Sequence, residues 1–300
     1  MGASLESLSG ELVAAVESAG PSVVRVEGGR RTPSSGVVWS AEGLIAASHH
    51  AVDIDEELPT GLSDGRTMTA RVVGRDPGSD LALLRAEASG LVSPHWGDAA
   101  AAKPGEVVLG LSRPGRSIRA RLGIVSAVAG EWRTPAGGRL ERYLETDIAL
   151  HPGFSGGLLL GAAGPALGVN TAGLVRGAGL AVAVESVRRV VEALLAHGKV
   201  RRGYLGIGTQ PVALAPDLRT RLGQSTALIV LSVQPDSPAG RAGLLLGDVL
   251  LRAGEEPLTH PAALLPALDA ERVGRELKLK VLRAGETREV ALVVGEREAA

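Results

Sequence analysis

The chain has 300 residues, a formal net charge of -1, no cysteine, and 2% aromatic against 45% hydrophobic residues. That length holds two domains, with a core built from Val, Leu, Ile and Ala. The near-balanced charge excludes bulk attraction to nucleic acid or an anionic membrane. Zero cysteine excludes disulfides, thiolate metal sites and a cysteine nucleophile, and leaves cytosol and cell envelope equally open.

The first segment, MGASLESLSGELVAAVESAGP, has no basic leader, and Glu6, Glu11 and Glu17 interrupt any apolar run, so it does not read as a secretory signal. Leu5, Leu8, Leu12 and Val16 mark one face of an amphipathic helix ended by Gly20-Pro21. From residue 22 to 184, short apolar runs between turn residues (SVVRVE, GLIAA, DLALLRA, GEVVLGL, GLAVAV) predict an all-β sandwich or barrel. Helical spacing returns at Ser186, read as an N-cap, with Val187, Val190, Val191, Leu194 and Leu195 on one face and Gly198 as the stop. The most apolar stretch, LLLGAAGPALGV from Leu158, is far shorter than the ~18 residues of a membrane span.

KVRRG, Lys199 to Gly203, is a charged connector and the expected domain boundary. The second unit restarts at YLGIG and runs through LIVLSV, SPAGRAGLLLGDVLLRAG, an apolar helical stretch PAALLPALDA, and the paired strands ELKLKVLRAG and REVALVVG.

One stretch raises the question of chemistry: HPGFSGG, His151 to Gly157. GFSGG matches the G-x-S-x-G nucleophile elbow, but that motif needs a helix after the serine, and here strand, turn and strand follow. Upstream, GLIAASHHAV ends an apolar run with two histidines, and RDPGSDLALL puts Asp80 at the mouth of a strand. The order His, Asp, Ser is one of those in which a nucleophilic triad occurs. A serine hydroxyl needs an imidazole to take its proton and a carboxylate to fix that imidazole's tautomer. His49, His95, His151, His197 and His260 read as structural, and no pair has metal-ligand spacing, so neither a metal nor another cofactor is expected.

These segments resemble the HtrA (Deg) family of trypsin-like serine proteases, in which a two-barrel protease domain precedes a PDZ domain. GLIAASHHAV resembles the family's histidine segment and implies His50 as the base. Gly74 to Leu84 resembles GRDPxSDLALL, with Asp80, and TDIALHPGFSGGLL resembles TDAxxNPGNSGGPL, with Ser155. The intervals, 30 residues from His50 to Asp80 and 75 from Asp80 to Ser155, resemble the family's own. Further on, RGYLGIG and SPAGRAGLLLGDVLLRAG resemble the opening and the SPAAKAGLKPGDVI segment of an HtrA-type PDZ domain.

The resemblance implies a mainly β chain: a chymotrypsin-like double β-barrel protease domain at 1–200 with flanking helices, then an α/β PDZ domain at 204–297. Its implied function is a serine endopeptidase of protein quality control that cleaves unfolded polypeptides through His50, Asp80 and Ser155, with the N–H groups of Gly153 and Ser155 as the oxyanion hole. Tyr204, Leu205, Gly206 and Ile207 would form the loop that receives the C-terminal carboxylate of bound peptides. A peptide-binding, chaperone-like protein with an unproductive site is the alternative. Phe154 stands where the family has asparagine and Leu158 where it has proline. The first helix lacks the aromatic residues with which family members commonly build a homo-trimer. The expected compartment is the cytoplasm if the chain is complete, and the periplasm or cell envelope if a leader has been removed. Phe154 is expected to pack in a niche made by Leu150 and Leu158.

Overall fold

A computed structural model describes residues 2–29, 32–53, 57–134, 136–161, 164–175 and 177–297. The chain divides into two compact units, Met1–Val200 and Arg201–Ala300.

The first unit opens with helix α1 (Gly2–Ala19). Strands β1 (Val23–Val26), β2 (Ser34–Ser40), β3 (Leu44–Ser48), β4 (Glu57–Gly61), β5 (Thr67–Asp76) and β6 (Leu81–Ala86) follow. They close a barrel in the order β1-β2-β3-β6-β5-β4. The strands β7 (Val107–Ser112) and β8 (Arg119–Ala129), a small hairpin β9 (Trp132–Arg133) and β10 (Arg139–Leu140), and β11 (Tyr143–Thr146), β12 (Leu158–Gly161), β13 (Ala166–Thr171) and β14 (Gly179–Ala183) come next. All but the hairpin close a second barrel, β11-β14-β13-β12-β7-β8. Helix α2 (Val184–His197) ends the unit.

The period-two geometry of strands explains why these segments are continuous apolar runs. In β3 and β6, Ile45, Ala47, Ala82 and Leu84 fill the first barrel. Leu44, Ala46, Leu81 and Leu83, on the opposite faces, join a cluster shared with Leu109, Leu111, Leu158 and Leu160 of the second barrel and with Val187, Val190 and Leu194 of α2. The second barrel has its own interior around Val108, Val125, Leu144 and Leu159. Both faces of the central strands are therefore buried.

Two helix expectations need correction. Helix α2 begins at Val184, with Ala183 at the N-cap and no side-chain cap. Ser186 lies inside the first turn, and its hydroxyl instead accepts the N–H of Glu141 at 2.9 Å, a tertiary contact that outcompetes capping. Gly198 ends the helix at φ +69 as expected, while Leu195 faces outward. In α1 only the C-terminal part of the predicted face packs: Leu12 and Val16 lie against the shared cluster, whereas Leu5 and Leu8 stay 68% and 46% exposed.

The second unit holds β15 (Gly203–Tyr204), β16 (Ile207–Ala213), α3 (Pro216–Leu222), β17 (Thr226–Val233), α4 (Pro238–Arg241), β18 (Val249–Ala253), β19 (Glu256–Pro257), β20 (Glu276–Arg283), β21 (Glu286–Val293) and β22 (Gly295–Glu296). Its sheet runs β16-β17-β18-β20-β21, so β16 is an edge strand. The stretch expected to be helical, PAALLPALDA, forms 3-10 turns over Pro261–Leu268. Pro266, without an N–H, denies the α-helical ladder a donor there.

Asp248 anchors this unit. Its carboxylate accepts the Arg283 Nε–H and Nη2–H, both at 2.7 Å, and the Leu245 N–H at 2.8 Å. Burial pushes the carboxyl up, but the Arg283 and Leu245 hydrogen bonds outweigh it and hold its pKa below the ordinary 3.8. The stability it contributes is therefore complete above that ordinary value and is lost as pH falls toward the lower folded one. We predict that Asp248→Asn costs the second unit about 2 kcal/mol near neutral pH and that the cost disappears in strong acid. Trp39, Trp96 and Trp132 are the only tryptophans and all lie in the first unit. In urea titrations the variant should shift the backbone circular dichroism transition and leave the tryptophan fluorescence transition in place.

Candidate active site

Strand β3 delivers the histidines. It ends at Ser48, and one 3-10 turn, His49–Ala51, carries His50 off the barrel edge. Opposite it, β5 ends at Asp76, whose carboxylate accepts the N–H groups of Gly78 and Ser79 at 3.2 and 3.0 Å and tightens the turn. Asp80 leaves that turn at φ +56, a left-handed conformation that aspartate tolerates better than most residues.

The Asp80 carboxylate, 5% exposed, is surrounded by donors. Its Oδ1 accepts the His50 backbone N–H at 2.9 Å, and its Oδ2 lies 2.7 Å from His50 Nδ1. Thr171 Oγ1, at the end of β13, also donates to Oδ2. An acceptor-only carboxylate requires the proton on Nδ1, which leaves the His50 Nε2 lone pair free as a base. The His50 side chain is 35% exposed. His49 is different: its N–H donates to the Asp80 carbonyl at 2.9 Å, its Nδ1 is buried without a hydrogen bond among the described residues, and burial lowers its pKa against the pull of the Asp80 charge. The geometry thus pairs His50, not His49, with Asp80.

Ser155 sits in the loop between β11 and β12. The Phe154 N–H donates to the His151 carbonyl and the Gly157 N–H to the Phe154 carbonyl, both at 3.0 Å, which winds the loop tightly. Gly156 has φ +80, and a Cβ there would lie 2.0 Å from the Ser35 carbonyl oxygen and 3.1 Å from Ser48 N. Only glycine lets the serine loop press against the strands that lead to the histidine. The N–H groups of Gly153 and Ser155 donate to nothing among the described residues. Ser155 Oγ accepts a long hydrogen bond, 3.3 Å, from the Ala172 N–H, and no hydrogen bond joins it to His50.

Four residues near the site carried no role in the sequence reading. Thr171 orients Asp80, and Gly173 lies so close to the pair that a Cβ would fall 2.6 Å from His50 Nδ1 and 2.7 Å from Asp80 Oδ2. Both lie in the NTAG stretch after the serine motif, which is where a signal was available. Ser35 clamps the serine loop twice: its N–H donates to the Ser155 carbonyl at 3.2 Å and its hydroxyl to the Gly153 carbonyl at 2.7 Å. Arg113 braces Ser35 through its N–H, at 2.8 Å from Ser35 Oγ. Its buried guanidinium donates to the carbonyls of Val23, Arg116 and Gly20 at 2.6, 2.8 and 3.0 Å. Nothing in the local sequence marks either residue.

Phe154 is buried, with 2% exposure, as a packed side chain was expected to be. The Arg121 guanidinium lies 5.4 Å above the Phe154 ring, a neighbour not foreseen from the sequence. A cation over an aromatic face supplies packing and electrostatic attraction together.

In the second unit, Tyr204 ends β15 and Ile207 begins β16. Between them Leu205 is buried, and Gly206, at φ +79, leaves no room for a Cβ, which would lie 2.1 Å from Ser237 Cβ. The Leu205 and Gly206 carbonyls accept the Ala239 and Gln234 N–H groups at 2.9 and 2.8 Å, while the N–H groups of Leu205 and Gly206 donate to nothing among the described residues. This gives a fixed turn with two unused donors beside an edge strand. Among the described residues no group of three or more His, Asp or Glu is gathered to hold a metal, and no helix is long and apolar enough to cross a membrane.

Two closed six-stranded barrels, with a histidine–aspartate pair on one and a glycine-flanked serine on the other, define a chymotrypsin-like protease domain followed by a PDZ-type unit. Family comparison agrees: the trypsin-like peptidase domain family matches residues 34–169 and the PDZ domain family residues 203–294. A protein of Halomonas elongata named "Probable periplasmic serine endoprotease DegP-like" is 32% identical over 273 residues, which cover 89% of this chain and 57% of that protein. Solved structures of the HtrA-type protease AlgW superpose with TM-scores of 0.79 (with a decapeptide, 28% identical, covering 96% of this chain and 99% of the other) and 0.76 (with a tripeptide, 31%, 96% and 98%). The chain belongs to the HtrA family of trypsin-like serine proteases with a PDZ domain. It spans 57% to 60% of the length of the first curated relatives it matches.

The space around Gly173 generates a prediction. Gly173→Ala should push His50 and Asp80 apart and lower kcat by about a hundredfold, while the exposed position leaves the thermal midpoint nearly unchanged. Turnover at the unmodified rate would show that the pair tolerates a methyl group and that its spacing is not set there.

Proposed function

We propose that the chain is a serine endopeptidase that cleaves unfolded polypeptides, with Ser155 as nucleophile, His50 as general base and acid, and Asp80 as the carboxylate that orients His50 and stabilises its charged form. The observation that carries this reading is the 2.7 Å contact of His50 Nδ1 with a buried Asp80 carboxylate, beside a serine loop with two unused N–H donors. In the resting geometry Ser155 Oγ faces the Ala172 N–H. Binding of substrate would turn it toward His50 Nε2, a tightening common to such sites. Ser155 Oγ then attacks the scissile carbonyl as its proton passes to His50, and His50 returns that proton to the leaving amine. The N–H groups of Gly153 and Ser155 receive the oxyanion, each worth about 2.7–4 kcal/mol of the barrier.

The second unit supports a role in capturing C-termini. A terminal carboxylate would take the N–H groups of Leu205 and Gly206, with Tyr204 and Ile207 flanking them, and the peptide would add a strand to the free edge of β16. The assembly we assign is a homo-trimer, for which the exposed Leu5, Leu8 and Val13 of α1 offer apolar surface in place of the aromatic residues it lacks. Of the compartments expected, the named periplasmic relatives support the periplasm, and the cytoplasmic reading has no support among them. The chaperone-like alternative with an unproductive site is not favoured, since the Asp80–His50 pair is intact.

Ser155→Ala should lower cleavage of unfolded casein by about 10^4-fold or more with no change in fold, and chelators should have no effect on the unmodified chain. Chelator-sensitive cleavage that survives the substitution would refute the assignment. For the second unit, fluorescence anisotropy with a free-carboxylate peptide and its C-terminal amide should show about tenfold weaker binding of the amide. Equal affinity would remove Leu205 and Gly206 from the carboxylate role.

A further inference from the structure

The loop that carries Ser155 also forms one wall of a cavity of about 660 Å3. Arg119 and Arg121, from the start of β8, line it together with His151, Pro152 and Phe154 of the loop and Thr32 just before β2. No carboxylate among the described residues lines this cavity. Arg66, Arg71, Arg189 and Arg283, by contrast, each lie 2.5 to 2.8 Å from a carboxylate oxygen. Arg121 is instead held over the Phe154 ring at 5.4 Å, an arrangement that keeps the in-plane N–H donors of a guanidinium available to a second partner. Arg119 is exposed and forms no ion pair among the described residues.

Phe154, which lines the cavity, is the immediate chain neighbour of Ser155. A substrate side chain beside the scissile bond would enter the cavity from the face of the loop that carries His151, Pro152 and Phe154. Two guanidinium groups and an imidazole with no carboxylate among them favour a carboxylate there and repel a lysine or arginine.

We propose that this cavity is a substrate subsite for an aspartate or glutamate side chain flanking the scissile bond, with Arg119 and Arg121 as its specificity-determining residues. The inference rests on the reading of Ser155 as nucleophile and extends it to the class of substrate. It also gives the chain's only phenylalanine a function, as the platform that holds Arg121 at the site.

The test uses the full chain and a neutral parent peptide that it cleaves, with Glu, Gln or Lys placed in turn at successive positions on either side of the cleaved bond. At one of these positions kcat/KM for the Glu peptide should exceed that for the Gln peptide by about fivefold, with Lys lowest, and the difference should shrink in about 1 M salt. Arg119→Glu should invert the Glu-to-Lys ratio at that same position, a readout independent of any change in absolute rate. Equal kcat/KM for Glu, Gln and Lys at every position, with the parent peptide still cleaved, would overturn the subsite and leave the protease reading intact. A Glu preference unmoved by Arg119→Glu would overturn the assignment to this cavity. Failure of the folded chain to cleave any peptide would overturn both readings.

Discussion

The site depends on one buried carboxylate. Asp80 has lost nearly all contact with water, a cost that its donors must offset. They come from both barrels: the His50 N–H and imidazole from the first, and the Thr171 hydroxyl from β13 of the second. The same contacts that make the carboxylate tolerable fix the imidazole's tautomer and bring the end of β13 against the histidine. Moving any partner leaves a buried charge short of a donor, so the spacing is maintained by the energetics of burial as well as by the barrels. The left-handed backbone at Asp80 is a local strain held in place by this network.

The serine loop is braced from the other side. Ser35 holds the carbonyls of Gly153 and Ser155, which leaves the N–H groups of those residues pointing elsewhere. Arg113 closes the brace by tying Ser35 to Gly20 and Val23 at the junction of α1 and β1. The end of the first helix is therefore connected to the loop through two side chains. Phe154 adds a contact of another kind, stacked under Arg121, where an asparagine would hydrogen-bond nearby backbone instead. The loop in this chain is held by carbonyl clamping and cation–π packing together.

Much of this was legible in the residues, for physical reasons. His50, Asp80 and Ser155 each lie in a contiguous segment whose turn chemistry is local, so their identity and order could be read directly. Ten of the twelve barrel strands were legible as apolar runs, helped by burial of both faces of the central strands, whereas β4 (ELPTG) and β11 (YLET) bury alternate residues and carry polar ones between them. Interactions between distant segments were not legible. The use of Ser186 depends on Glu141 lying beside it, and the roles of Ser35 and Arg113 depend on carbonyls up to 118 residues away. Leu5 and Leu8 kept the helical period without a surface to bury against. In PAALLPALDA the apolar composition favours a helix, but Pro266 removes a backbone donor and the segment forms 3-10 turns instead.

The central claim is that Ser155 is a serine nucleophile, activated by His50 and Asp80 when a substrate or probe occupies the site. Reaction of the full chain with a fluorophosphonate, followed by peptide mapping by mass spectrometry, tests it most directly, because such a probe needs an activated serine and a formed oxyanion hole. The account predicts stoichiometric modification at Ser155 alone and a large drop in its rate for Asp80→Asn. Absence of labelling in the folded chain, or an undiminished rate in Asp80→Asn, would contradict it.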